Sequence, residues 1–184
     1  KSSSGVITVT SGDKMATEAT GSAGIEGTAA VYVTQVTRLK SDVSTNVNIV
    51  KTTIMIDLTG LKDGGTAGDI IGKDGSGVAF IGKVTTANQG SVFGVTMQCV
   101  EAPAGGSADI DLFSATEGTG VNDTAIGDLT ETQIINAGTQ AAGTLTAGGD
   151  IAADQFLYLV SQGTGDATYT CLLYTSPSPR DRQK

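Results

Sequence analysis

Carboxylates are the abundant side chains in this sequence that could bind a metal ion or take part in catalysis. The segment "ADIDL" holds Asp109 and Asp111, and Glu117, Asp123 and Asp128 follow soon after. Calcium prefers several carboxylate and carbonyl oxygens, so a weak Ca²⁺ site near Asp109 and Asp111 is one interpretation. The spacing matches neither an EF-hand nor a repeat. An ordinary solvated strand face is therefore the favoured interpretation.

Paired carboxylates can also hydrolyse glycosides, with one acid and one base or nucleophile at a set separation. The chain has no Trp, which sugar clefts commonly use for stacking. It also has no His, which excludes Ser-His-Asp and Cys-His catalysis and His-ligated zinc. We therefore predict no catalytic, cofactor-binding or metal-binding residues, no cofactor and no enzyme activity.

Two further motifs have simpler structural interpretations. In "GDIIGKD", the spacing from Gly68 to Gly72 and Lys73 is one residue too short for a phosphate-binding loop, and Asp74 replaces the required Ser or Thr. This segment is predicted to be a turn. Cys99 lies in the alternating apolar segment "SVFGVTMQCV" and is predicted to be a small core residue, because no His is present to activate it.

The last fourteen residues, "CLLYTSPSPRDRQK", differ in kind from the rest of the chain. They hold two of its three prolines and three of its basic residues. Back-translation of "CLLYTSPSPRD" gives DNA that resembles the transposase adapter used in short-read sequencing libraries. We therefore expect residues 171–184 to be a non-native tail. We also expect the native C-terminus, and with Lys1 in first place the native N-terminus, to be missing. The alternative is a natural basic tail with a Ser-Pro repeat.

The charge of the remaining chain limits its partners. Without the tail, Lys plus Arg falls from 11 to 8 and Asp plus Glu from 19 to 18, which leaves a net charge of −10. Such a field repels nucleic acid and anionic lipid, so we predict no nucleic-acid and no membrane partner. No apolar run approaches the roughly 18 residues that span a bilayer.

Glycine punctuates the chain between short β-prone runs, which is typical of an all-β domain. In "VNIVKTTIMIDLTGL" the apolar residues alternate with polar ones, as in a strand with one buried face. The same alternation places Phe93, Val95, Met97 and Cys99 on one apolar face, and Ile110 and Leu112 opposite the acids of "ADIDL". "QFLYLVSQ" is a further strand.

Eight or nine such strands favour an antiparallel β-sandwich, of the jelly-roll kind, over any helical fold. At most one short helix is expected near residues 129–137, where Thr130 and Gln133 have capping-box spacing. We predict a flexible or extended arm over residues 1–27, a β-sandwich domain over 28–170 and the non-native tail over 171–184. The final strand is predicted to be truncated, with residues 168–174 in the sheet and 176–184 irregular because Pro177 and Pro179 cannot donate to a ladder.

An ordered series of segments resembles a known group of sequences: "TTIMIDLTGL", "GDIIG", "IGKVTTANQGSVFGVTMQCVEAPAGG", "DIDLFSATEGTG" and "QFLYLV". Over about residues 23–170, the chain is similar to a family of uncharacterised proteins encoded by marine tailed phages. The resemblance implies a structural protein located in the virion. It brings no catalytic residues to transfer.

Together these observations predict a non-enzymatic virion structural protein, either a capsid decoration protein or an appendage subunit. It would pack flat β surfaces against copies of itself or against another virion protein. The alternative is an extracellular or surface glycan-binding β-sandwich module, which the small number of aromatic residues disfavours. A carboxylate hydrolase is the third hypothesis.

Overall fold

The computed structural model describes residue 25 and residues 31–39, 47–75 and 77–170. These residues form strands that pair only in the antiparallel sense. The strands are β1 (Val31–Leu39), β2 (Val47–Met55), β3 (Asp69–Ile70), β4 (Gly82–Lys83), β5 (Val95–Gln98), β6 (Ile110–Ala115), β7 (Glu131–Ile135), β8 (Leu145–Gly148) and β9 (Phe156–Ser161).

Helical structure in the described residues is limited to single turns. The helix α1 (Thr86–Gln89) has four residues, and a 3-10 turn covers Ile126–Asp128. The prediction of an all-β antiparallel sandwich is confirmed, whereas the jelly-roll connectivity stays a prediction. Among the described residues, neither helical turn has the length or apolar character needed to span a bilayer.

The largest sheet has five strands and is centred on β6 and β9. The order is β3-β9-β6-β7, and β4 also pairs with β9. The central pairing runs over six residues of each strand, from Ile110 opposite Ser161 to Ala115 opposite Phe156. Every residue of β6 is buried. A strand that is covered on both faces needs apolar residues at consecutive positions, as "FLYLV" supplies in β9.

Each face of the central sheet has its own apolar cluster. On one face, Leu112 and Leu159 belong to a cluster that Val95 and Met97 of the β5–β8 sheet cover. On the other face, Phe113 and Tyr158 belong to a second cluster, which loop residues cover. Fully burying one such side chain contributes about 1.5–3 kcal/mol, so these two layers are the main source of stability.

The β1–β2 sheet is a separate two-stranded ribbon with nine residue pairs. At the end of β2 and just after it, Ile54, Ile56 and Leu58 lie half-buried against the core cluster that contains Leu112. This spacing of two confirms the alternation predicted for "VNIVKTTIMIDLTGL". An isolated two-stranded ribbon is only marginally stable in water, so its attachment to this core is important.

The helix predicted near residues 129–137 is wrong, because this segment forms β7. β7 pairs with β6, and Ile135 is only 1% exposed. The β-branched residues of "ETQII" suit a strand, and the ladder to β6 supplies tertiary hydrogen bonds that a capping box cannot match. The neighbouring helical turn ends at Asp128, before the predicted segment begins.

The predicted solvated strand face is also wrong at Asp111. Asp111 is 2% exposed, because β6 is a central strand with both faces covered. Its Oδ1 accepts a hydrogen bond from the Ala137 backbone N–H at 2.8 Å, and its Oδ2 accepts one from the Gln133 side chain at 2.9 Å. The acid therefore joins β6 to the β7 region.

Residues near both ends of the described part of the chain lie in the core. Ile25, from the segment predicted to be an arm, is 1% exposed. Near the other end, Tyr169 is fully buried and its backbone N–H donates to the Leu61 carbonyl at 2.8 Å. Thr168 forms an isolated bridge with Lys62. The remainder of the predicted final strand, and the irregular run over 176–184, fall outside the described residues.

Asp63 holds this C-terminal segment in place. The carboxylate is 1% exposed; its Oδ1 accepts from the Ala167 N–H at 2.7 Å and its Oδ2 from the Ser107 N–H at 2.6 Å. The adjacent Lys62 ammonium lies 2.9 Å from the Asp166 carboxylate. Hydrogen bonds to the carboxylates of Asp166 and Asp74 raise the pKa of Lys62. One buried carboxylate thus joins three loops that are distant in sequence.

We expect Asp63→Asn to lower the free energy of unfolding by about 3 kcal/mol, because an amide NH₂ would face one of two buried N–H donors. Urea denaturation measures this loss. Asp166→Asn is the matched control: it neutralises a carboxylate of the same loop that is 58% exposed, so its effect should be much smaller. Equal losses for the two variants would contradict the role assigned to Asp63.

Candidate interaction surface

β5 and β8 form a small sheet with one inward and one outward face. Their register runs from Val95 opposite Gly148 to Gln98 opposite Leu145. Burial alternates along β5, so that Val95 and Met97 are half-buried against the core while Thr96 and Gln98 are exposed. The outward face of this sheet is accordingly in contact with solvent.

Three large apolar side chains are exposed beside or on this sheet. Phe93 is 80% exposed, Val100 is 82% exposed and Leu145 is 63% exposed. Val100 and Leu145 lie at the same end of the ladder, since Leu145 is opposite Gln98. Single exposed apolar residues are ordinary, but three of them on one small sheet form a feature that needs an explanation.

The exposure of Phe93 differs from the sequence prediction, which placed it on the inward face with Val95. Val92 instead packs against the core and bridges Ile151, in line with the register of β5 and β8. Between this bridge and β5 lies Gly94, where the alternation is interrupted. The side chain after Val92 therefore points outward.

The strands of this sheet carry no charged residue. Residues 84–100 and 132–149 are the two longest stretches of the chain without a charged side chain, and they contribute β5 and β8, respectively. Charged residues begin again at Glu101 and Asp150. The chain as a whole carries a formal charge of −8, so two uncharged stretches that pair as strands are distinctive in this acidic protein. We call the exposed side chains of Phe93, Thr96, Gln98, Val100 and Leu145 the neutral surface.

The acidic residues singled out from the sequence do not form a common site. Within the described part of the chain, no group of three or more acidic, Cys or His residues is arranged to hold a metal ion. Asp123 accepts a hydrogen bond from the Gly65 N–H at 2.9 Å, in a loop remote in sequence from "ADIDL". Burial, and then the nearby charge of Asp111, raises the pKa of Asp109.

The Glu117 carboxylate is also engaged in hydrogen bonds within the fold. Its carboxylate accepts hydrogen bonds from the Thr130 hydroxyl at 2.8 Å and from the Thr130 N–H at 2.9 Å. These bonds stabilise the charged form and lower the pKa of Glu117. A general acid needs a pKa shifted upward towards neutrality, so this environment is the opposite of a catalytic one.

The two remaining sequence motifs, "GDIIGKD" and the segment with Cys99, take part in the packing and hydrogen bonding of the fold. Asp69–Ile70 of "GDIIGKD" forms β3, which pairs with β9, so the segment is not a phosphate-binding loop. Lys73 and Asn122 line a shallow cavity of about 240 Å³. The Cys99 thiol is half-buried and donates a hydrogen bond to the Glu101 carbonyl at 3.0 Å.

No protein-family model, curated protein or solved structure matches this chain. A functional argument therefore depends on the molecule's own surface chemistry. The sequence prediction identified flat β surfaces as the means of interaction without locating one. The signal that locates it is the pair of long uncharged stretches, which the fold brings together.

We expect Phe93→Ser and Leu145→Ser to leave the free energy of unfolding nearly unchanged, because both side chains are already largely in water. Both should elute earlier from a hydrophobic-interaction column. Ile151→Ser is the control beneath the same sheet: its side chain is 6% exposed, and its loss should cost about 3 kcal/mol. Strong destabilisation by the two surface variants would show that the residues are not exposed.

We expect the Glu117 carboxyl to titrate below the ordinary range for Glu in an NMR titration. Thr130→Val removes the hydroxyl donor and should raise that pKa. Since the folded-state pKa is lowered, this interaction contributes stability above the unfolded-state pKa, and the contribution is lost as the pH falls through the folded-state value. Thr132→Val, two residues further along the chain in β7, is the control, and an identical Glu117 titration in both variants would contradict the assignment.

Proposed function

We propose that this protein is a non-enzymatic structural subunit of a phage virion, acting as a capsid decoration protein or an appendage subunit. The observation that carries the proposal is the neutral surface. It exposes Phe93, Val100 and Leu145 on an otherwise acidic chain. Burying apolar surface that is exposed to water is favourable, and burying an uncharged surface avoids the cost of desolvating ions.

The use of the buried acids supports a structural role over an enzymatic one. Asp63 and Asp111 each accept one hydrogen bond on each carboxylate oxygen, and at least one donor to each is a backbone N–H. A catalytic carboxylate must instead present an oxygen to a substrate. The acids that lie deepest in the described structure thus stabilise the fold, which disfavours the carboxylate hydrolase.

A glycan-binding module receives less support. Sugar recognition commonly stacks a ring on an exposed aromatic side chain. Among the described aromatic side chains, Phe113, Tyr158 and Tyr169 are buried, and Phe80 packs against the Phe156 ring at 4.9 Å between centroids. Phe93 is the one largely exposed residue among the aromatic side chains whose burial the structure describes. A single exposed ring fits a protein contact better than sugar stacking.

The proposal is tested by mass spectrometry of density-gradient-purified particles from a sample whose DNA encodes this chain. We expect its peptides to sediment with the particles, in a fixed ratio to the major capsid protein. Peptides found only in the infected-cell lysate would contradict a virion role. Binding of the purified chain to a glycan array, together with absence from particles, would favour the glycan-binding alternative.

A further inference from the structure

We propose that β5 is an assembly edge, by which two copies of this chain pair their β5 strands antiparallel across a two-fold axis. The inference rests on the proposed function, and it names the partner as a second copy. It starts from the sheet order, because β5 and β8 form a two-stranded sheet in the described structure and each strand has one hydrogen-bonded neighbour.

The ladder to β8 shows which backbone groups of β5 point away from the sheet. The Cys99 N–H donates to the Thr144 carbonyl at 2.9 Å. Backbone groups alternate direction along an antiparallel strand, so the N–H and C=O groups of Met97 and Val95 also point towards β8. The N–H and C=O groups of Thr96 and Gln98 then point to the opposite edge, and both residues are exposed.

The sequence of β5 lacks the residues by which proteins usually prevent strand pairing. Such residues are an edge Lys or other charged residue, or a Pro. Residues 84–100 contain no charged residue and no Pro. β8 is less suited to the same role, since it lies between a hydrogen-bonded turn at Ala141–Thr144 and the charge of Asp150.

The chemistry of the edge selects a second copy as the partner. A strand edge is self-complementary in the antiparallel sense, because each exposed N–H finds an exposed C=O on an identical strand. A basic partner would be attracted to the acidic remainder of the molecule, not to this uncharged strand. Two copies of a chain with charge −8 repel each other, and they do so least where charge is absent.

The register follows from the exposed positions. When Thr96 of one copy pairs with Gln98 of the other, their outward-pointing N–H and C=O groups form hydrogen bonds with each other. Met97 then lies at the two-fold axis. Val100 then lies opposite Gly94 of the other copy, beside its Phe93. The two exposed apolar residues that flank β5 would cover each other, and the pair of β5–β8 sheets would become one four-stranded sheet.

The contact is small, so we expect it to be weak for an isolated pair. It offers about four backbone hydrogen bonds, and interfaces well below about 1,000 Å² are generally transient. A dissociation constant on the order of 10⁻⁴ to 10⁻³ M is expected. In an array with many copies held close together, the effective concentration makes such a contact sufficient.

The test is sedimentation velocity of the full purified chain over a concentration series up to about 1 mM. We expect reversible dimerisation, which Gln98→Glu and Thr96→Pro each weaken at least about tenfold, through like charges near the axis and through loss of an edge N–H. Ala147→Glu is the matched control. It adds the same charge to the same outward face but on β8, and it should leave the dimer unchanged.

A second measurement needs no variant. Hydrogen exchange at the amides of Thr96 and Gln98 should slow as the protein concentration rises, while exchange at Met97, already bonded to β8, should not change. A chain that stays monomeric throughout the series would overturn the proposal. Disruption by Ala147→Glu but not by Thr96→Pro would also overturn it, in favour of face-to-face packing. Both outcomes are independent of whether peptides are found in virions.

Discussion

The pairing of β6 with β9 is the interaction on which the rest of the structure depends. These strands carry apolar residues on both faces, so neither can be stable unless a layer covers each side. One layer is the β5–β8 sheet with the residues that follow β2, and the other is a set of loops around Phe80 and Leu129. Short strands and Gly-rich loops are stable here because they are attached to a ladder that excludes water.

The loops in these two layers need their own means of attachment. A buried loop has backbone N–H and C=O groups that no β-ladder supplies with hydrogen-bond partners. Buried side chains supply the missing partners. Asp63 binds the N–H groups of Ser107 and Ala167, and the Tyr158 hydroxyl donates to the Glu117 carbonyl at 2.8 Å. A carboxylate that accepts from the backbone can join segments far apart in sequence, which a short β-ladder cannot do. This explains why acids lie in the interior of this protein.

The sequence predicts the fold class and most strands, because period-two alternation and Gly-rich turns are local signals. It fails where tertiary contacts decide. "ADIDL" has the alternation of a half-exposed strand, yet Asp111 is buried because loops cover the second face of β6. "DLTETQIINAG" has capping-box spacing, yet it pairs with β6 as β7. Phe93 fits the apolar face of β5 until the interruption at Gly94 turns it outward. The burial of Asp111 and the formation of β7 are not encoded within a few residues of the positions concerned.

The distribution of charge connects the fold to the proposed role. A net negative charge keeps copies apart in solution, and an uncharged strand with an open edge is a site where that repulsion is weakest. A protein selected only for solubility would place a Lys or a Pro on such an edge. The β5–β8 sheet instead carries neither on its strands, and it presents Phe93, Val100 and Leu145 to water. Since exposure of these groups is unfavourable for the isolated molecule, the arrangement supports the proposal that the protein works as part of an assembly.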